Sequence, residues 1–249
     1  MSGHSKWSTI KRQKGAQDQK RGQIFTKLSN AITIAVKEGG GITDPASNFK
    51  LRLAIDAARA QNMPKENIDR AVERASGKQG GELEEATYEG FAPYGVNVIV
   101  TAATDNPMRT TSEIKNLFNK AGGSFGRPGS SSYLFKKMGS IFVKKNGKTF
   151  DDIFSIGVES GAEDIEENGD EVIVYTGTHD LLLVRDELAK KGLEVTDAKF
   201  TLKPISKITI EDREKYDKVV DFLSSLEQLD DVQEVYSNLQ VLPAGRQVL

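Results

Sequence analysis

The sequence predicts an α+β multidomain protein: an N-terminal three-helix bundle followed by two ferredoxin-like β-α-β-β-α-β units, one inserted in the other. Two observations lead there. Through the first third of the 249 residues, apolar side chains recur at helical spacing between Gly and Pro breaks. Beyond residue 85, short β-branched runs alternate with helical segments in a pattern that occurs twice, once contiguous and once split around that copy. Four parts follow: a basic arm and bundle over 1–80, an α/β domain from 81–137 with 204–238, an inserted α/β domain over 138–203, and a frayed tail over 239–249. Two consecutive domains without insertion use the same elements and stand as the alternative.

The first helix is carried by Ile24, Phe25, Leu28, Ala31, Ile32, Ala35 and Val36, and Gly39–Gly41 stops it. Asp44 and Pro45 supply a cap and a first-turn proline for a second helix, with Leu51, Ala54, Ile55 and Ala58 facing inward. That helix ends near Asn62, because Pro64 disfavours helix at Met63. Pro64 opens a third helix bearing Ile68, Ala71, Val72 and Ala75, closed by Gly77. Residues 78–85 read as a linker.

In the contiguous α/β copy, Ser140–Lys144 is a strand, and Thr149 with Asp152 caps a helix to about Ser160. Strands 162–167 and 170–176 meet at Asn168-Gly169, a hairpin signal. Thr178 caps a helix through Lys191, and Leu193–Leu202 returns as a strand. The split copy offers strand Val96–Ala103, helix Arg109–Ala121 and strand Ser131–Phe135. After the insertion it resumes with strand Ile205–Ile210, helix Asp212–Leu229 and strand Val232–Tyr236.

Charge divides the chain more sharply than its net of −2 suggests. Residues 1–80 carry 15 Lys+Arg against 7 Asp+Glu, and 81–249 carry the remaining 19 against 29. The asymmetry is concentrated at the front. Six cations, Lys6, Lys11, Arg12, Lys14, Lys20 and Arg21, stand in the first 21 residues against one acid, Asp18. With only Met1, Trp7, Ile10 and Ala16 apolar, this segment has no face to bury and reads as a surface for phosphates. The plain alternative is a solvated Lys/Arg face. Trp7 either stacks on a base or docks on the bundle and pins the arm.

Other chemistry finds little support. There is no cysteine, which excludes disulfides and thiolate catalysis and fits a reducing compartment. His4 and His179 are far apart in sequence, and the H-E-x-x-H and G-x-G-x-x-G patterns are missing. The expectation is therefore not an enzyme, with no cofactor and no bound metal. The leading cations are followed by no apolar h-region and no run approaches a membrane span, so a cytoplasmic protein without membrane contact is expected. The stretch Gly122–Ser132 reads either as a flexible loop or as an anion cradle of closely spaced amides, with Arg127 adding charge. Asp105, Asn106, Arg109 and Thr110 read as caps and a local ion pair at a helix start. The acidic run 163–171 lacks the order of a calcium loop and reads as a solvated hairpin.

Several blocks then appear in a recognisable order: GHSKW (3–7), Lys11 with Lys14, FTKL (25–28), LRLAIDAARAQNMPKENI (51–68), YEGFAPYGVNVIV (88–100), TDN-x2-RT (104–110), AGGSFG-x2-GS-x2-YLF (121–135) and LDDVQEVYSN (229–238). Together they resemble the YebC/PmpR family over nearly the whole chain. The resemblance implies a helical N-terminal domain, two α/β domains and a role in gene expression. Bacterial members are usually described as probable DNA-binding transcriptional regulators. Others act on the ribosome in synthesis of difficult, proline-rich chains, and mitochondrial relatives activate translation of a cytochrome oxidase subunit. The expectation is thus a nucleic-acid-binding regulator whose partner is DNA or ribosomal RNA. Lys6, Trp7, Lys11, Arg12, Lys14, Lys20, Arg21 and Arg127 are its contact residues, and the acidic α/β domains are a surface for ribosome or protein. Residues 44–77 also allow a helix-turn-helix reading, but the third helix mixes Lys65, Arg70 and Arg74 with Glu66, Asp69 and Glu73. Backbone or structured-RNA binding fits those charges better than duplex sequence readout.

Overall fold

Three helices open the described chain: α1 (Gln17–Glu38), α2 (Phe49–Ala60) and α3 (Lys65–Ser76). The computed structural model describes residues 17–76 and 83–241, with side chains from Arg21 onward. The apolar stripes read from the sequence converge, burying Leu28, Ile32, Val36, Leu51, Ile55, Ala58, Ile68 and Ala71 in one core. The second helix starts later than its Asp-Pro signal. Asp44 caps only a turn, taking the Ala46 amide at 3.0 Å, whereas buried Asn48 caps α2 by accepting from the Leu51 amide at 3.1 Å. The Asn48 amide group also donates to the carbonyls of Ala35 and Ile42, tying the α1–α2 connection to both helices. The corner before Pro64 is made by Asn62 at φ 57°, with the Met63 amide returning to Ala58 O.

The described residues divide into two compact units, one of 17–58, 63–76, 83–135 and 204–241, the other of 136–203 with 59–62. Beyond the helices, the first unit contains β1 (Glu84–Phe91), β2 (Asn97–Thr104), α4 (Pro107–Ala121) and β3 (Ser124–Phe125). The insertion contributes β4 (Phe135–Lys144), α5 (Phe150–Glu159), β5 (Asp164–Asn168), β6 (Glu171–Thr176), α6 (Leu181–Lys190) and β7 (Glu194–Pro204). The outer sheet is then completed by α7 (Arg213–Glu227) and β8 (Val232–Ser237). Seven α-helices and two four-stranded sheets result among the described residues, and one α/β unit interrupts the other as the sequence pattern predicts.

The inserted sheet has the order β5-β6-β4-β7 and the element order β-α-β-β-α-β. Its central register sets Ile141 opposite Val174 and Val143 opposite Val172, all fully buried. Thr149 and Asp152 form a reciprocal capping box at α5. Thr178 does not cap α6: that helix begins three residues later, after a turn closed by the Asp180 amide on Gly177 O.

The outer sheet differs in how its strands are supplied. Its order is β3-β1-β2-β8, with a β1–β2 hairpin at the centre. Residues 84 and 85, expected in a linker, begin β1; only Tyr88, Glu89 and Gly90 of that strand are buried, so its alternation is faint in the sequence. It is held as a strand by β2, which buries seven of its eight residues. The expected strand Ser131–Phe135 is instead a loop and a 3-10 turn over Ser132–Leu134, because the amides of Ser131 and Ser132 are drawn onto the Glu89 carboxylate. Ile205–Ile210 makes a single bridge, Ile208 with Leu239, rather than a strand. The expected tail begins attached to the body: Leu239 is buried and the Gln240 amide donates to Ile208 O at 2.7 Å, next to Asn238, whose side chain accepts from the Asn97 amide at 2.8 Å. Packed against this sheet, α4 and α7 meet through Phe118 and Phe222, whose rings lie edge-on at 4.9 Å.

Candidate nucleic-acid interface

Lys6, Trp7, Lys11, Arg12 and Lys14 lie outside the described residues, and Lys20 falls within α1. Arg21 is exposed one helical turn before Phe25, its guanidinium 5.6 Å above that ring. The arm therefore feeds into a helix whose first described side chain is an exposed cation.

What fixes that helix is Lys27, which the sequence reading passed over. Lys27 is 7% exposed, and its Nζ donates at 2.6 Å to the carbonyl of Glu227, the last residue of α7. A helix C-terminus concentrates unpaired carbonyls and negative potential, so it suits a buried ammonium. Burial lowers the Lys27 pKa, while Glu227, Glu234 and Asp230 oppose that shift. Gln23 adds a bond to Asp230 at 3.3 Å, and Lys37 donates to Leu83 O at 3.0 Å. A single Lys in an apolar helix stripe, in FTKL, was the one signal available.

Other cations of the bundle are used internally. Arg52 donates to the carbonyls of Pro45 and Ala46, Arg70 to Glu66 O and Asn67, and Arg74 to Thr33. Arg70 and Arg74 are exposed on α3 while making these bonds.

Arg127 is exposed on the Gly-rich loop, on a different element from Arg21. That loop is a cradle of amides, but its anion is internal. Glu89, 7% exposed, accepts from the amides of Gly129 (2.8 Å), Ser131 (2.6 Å) and Ser132 (2.9 Å). Burial works against the charge, yet these amides outweigh it and hold the carboxyl below its ordinary pKa. These three amides are therefore taken by an internal anion, while Arg127 is exposed.

The TDN-x2-RT block is a second internal anion site. Asn106 caps α4 by accepting from the Arg109 amide at 3.1 Å, and Arg109 pairs with Asp105 at 3.0 Å, as its spacing predicts. The missed partner is Asp231, in the turn before β8. It accepts from Arg109 at 2.8 Å and from the Thr110 hydroxyl at 2.6 Å, with Thr104 at 3.2 Å. Burial disfavours its charge, but the bonds from Arg109 and Thr110 prevail and lower its pKa. This Asp–Arg–Thr knot belongs to the fold.

Among the described residues no His/Cys/Asp/Glu group is placed to hold a metal, and no helix is long and apolar enough to cross a membrane. Architecture and charge together define a modular α+β protein whose helical domain bears a basic leading segment. The chain belongs to the TACO1/YebC family: the family model of the TACO1/YebC protein N-terminal domain matches residues 5–78, and that of the TACO1/YebC second and third domain matches 83–239. A "probable transcriptional regulatory protein" of Roseiflexus castenholzii is 48% identical over 97% of this chain and 96% of its own length. Another so named, from Chlorobaculum tepidum, is 44% identical over 100% and 99%. The crystal structure of a conserved hypothetical protein from Aquifex aeolicus is similar with a TM-score of 0.89 at 40% identity, covering 98% of this chain and 100% of that one.

Proposed function

We propose that this protein is a non-enzymatic, nucleic-acid-binding regulator of gene expression that works in the cytoplasm. The observation that carries the reading is the basic segment 1–21, six cations against one acid, running into a helix that Lys27 moors to the α/β body. Lys6, Lys11, Arg12, Lys14, Lys20 and Arg21 supply the phosphate grip and Trp7 an aromatic contact, with Arg127 a separate cation on the body. Relatives named as probable transcriptional regulatory proteins support the regulatory part of this reading. The mixed charge of α3, with Lys65, Arg70 and Arg74 beside Glu66, Asp69 and Glu73, favours backbone contact over base readout in a duplex groove.

In-cell crosslinking tests it, comparing the wild type with a variant carrying Lys6→Ala, Lys11→Ala, Arg12→Ala and Lys14→Ala. The wild type is expected to recover nucleic acid and the variant to lose it. In vitro, about five phosphate contacts give a slope of roughly −3.5 to −4.5 in log affinity against log salt. Recovery of promoter DNA supports action on transcription, whereas ribosomal RNA alone redirects the reading to a translation factor. Recovery of neither by the wild type overturns it.

A further inference from the structure

The β1–β2 turn holds a residue that neither turn nor core asks for. In Ala92-Pro93-Tyr94-Gly95-Val96, Tyr94 adopts φ 65°, ψ 23°, left-handed backbone that Gly or Asn occupies at less cost. A bulky residue there is strained. Its ring is only partly covered, the residue being 45% exposed. What it does have is a neighbouring cation: Lys215 Nζ, from the first turn of α7, lies 5.7 Å from the ring centre and also 3.6 Å from Asp212.

The Gly-rich loop is fastened beside this turn. Besides the Glu89 bonds, the Ser131 hydroxyl donates to Gly90 O at 3.1 Å and lies 3.4 Å from Asn97 Oδ1, so it touches both strands next to the turn. Two residues on, Tyr133 is 68% exposed, and Arg127 projects from the same loop. Two exposed aromatic rings and two cations are therefore presented by backbone that is itself pinned. Rings fixed in this way lose little conformational entropy on stacking, and base–aromatic stacking tolerates any sequence.

We propose that this turn end of the outer sheet is a stacking subsite for unpaired nucleobases, with Tyr94 and Tyr133 as platforms and Lys215 and Arg127 as backbone cations. The inference rests on the nucleic-acid reading above and makes it specific: the preferred ligand is single-stranded, and it is gripped by the body as well as by the arm.

The test uses the full chain and fluorescence anisotropy with a labelled single-stranded RNA, the same sequence as DNA, and the matching duplex, at several salt concentrations. Tyr94→Asn removes the ring while suiting the backbone. It is expected to weaken single-strand affinity about fivefold to a hundredfold, the range that stacking of one base implies. Duplex affinity and the salt slope are expected to be unchanged, Tm equal or higher, and Tyr94→Phe to bind like the wild type. Tyr133→Ala is expected to act in the same direction. RNA and DNA strands bound alike support stacking alone; a preference for RNA supports an added contact to the 2′-hydroxyl. If Tyr94→Asn and Tyr133→Ala bind single strands with wild-type affinity, or lose duplex and single strand equally, the subsite is overturned while the arm reading stands. If the wild type binds none of the three probes, both readings fall together.

Discussion

The inserted and the outer α/β units are built from similar elements but are held differently. In the inserted unit, residues 136–203, most charged pairs sit at the surface and all lie within that one continuous segment: Lys136 with Glu163, Lys144 with Glu194, Lys145 with Glu167, the largely covered Lys203 with Asp164 and Glu166 being the exception. Surface pairs contribute little each. Its stability rests on apolar ladders such as Ile141 opposite Val174. The first unit instead encloses ionised groups held by other segments, Glu89 by 129–132 and, across the insertion, Asp231 by Arg109 and Lys27 by Glu227. A fold interrupted by an insertion of some seventy residues has to bring distant segments into register, and directional bonds to a buried charge do that where apolar contact alone is permissive.

Breaking the Glu89 cradle is the most severe test of this contrast. Glu89→Gln replaces an acceptor of three amides with a group that must turn a donor toward them, leaving buried amides unpaired at ~1–3 kcal/mol each. A loss of about 3 kcal/mol is expected at pH 7 in urea denaturation. Because the folded carboxyl titrates below its ordinary pKa, its stabilising effect is present above about pH 4.5 and is lost as pH falls through the lowered value. The gap between wild type and variant therefore narrows in acid. A gap that stays constant with pH assigns the effect to shape rather than charge.

Asp231→Ala comes next. It strands Arg109, which keeps Asp105, and the Thr104–Thr110 hydroxyl pair, which keeps its mutual contact at 2.7 Å. With Arg109 half exposed, about 2 kcal/mol is expected, smaller than for Glu89. A double-mutant cycle with Arg109→Ala measures the coupling; a value near zero removes the Asp–Arg pair from the account.

These two sites also show where the sequence was legible. Thr149 with Asp152, Asn168-Gly169 and Asn106 before Pro107 are all local signals, and the structure uses each in its local sense. The apolar stripes of α1 to α3 were equally plain, since a helix writes its buried face within a few turns. Glu89, Asp231 and Lys27 were not identified because each looks like any surface charge until a segment 40 to 200 residues away closes on it. The same blindness produced two false strands. Ser131–Phe135 has strand-like composition, but its amides were already claimed by Glu89. Of the expected contact residues, only Arg21 and Arg127 have described side chains, and both are exposed.

Lys27→Met tests the third remote bond. A thioether of similar length fills the space but leaves the Glu227 carbonyl without its donor, so about 1 kcal/mol is expected at pH 7. The pH dependence is more telling. Burial lowers the folded Lys27 pKa below 10.5, so between the two values the unfolded chain binds more protons and stability rises with pH. That alkaline gain is expected in the wild type and missing from the variant. An identical alkaline profile in both shows that the ammonium is not desolvated in solution.

The smallest expected effect lies in the inserted unit. Thr149→Ala removes the hydroxyl that accepts the Asp152 amide and lets the Asp152 carboxylate lose one of its two Thr149 bonds. Loss of such a cap costs about 1 kcal/mol, and the helix it serves is only ten residues long. Faster hydrogen exchange is expected across the first turn of α5, with β1 and β2 unchanged, as measured by exchange mass spectrometry. If exchange instead rises across β1 and β2, the cap is felt far from its own bonds, and the division between a locally held unit and a remotely stitched one has to be abandoned.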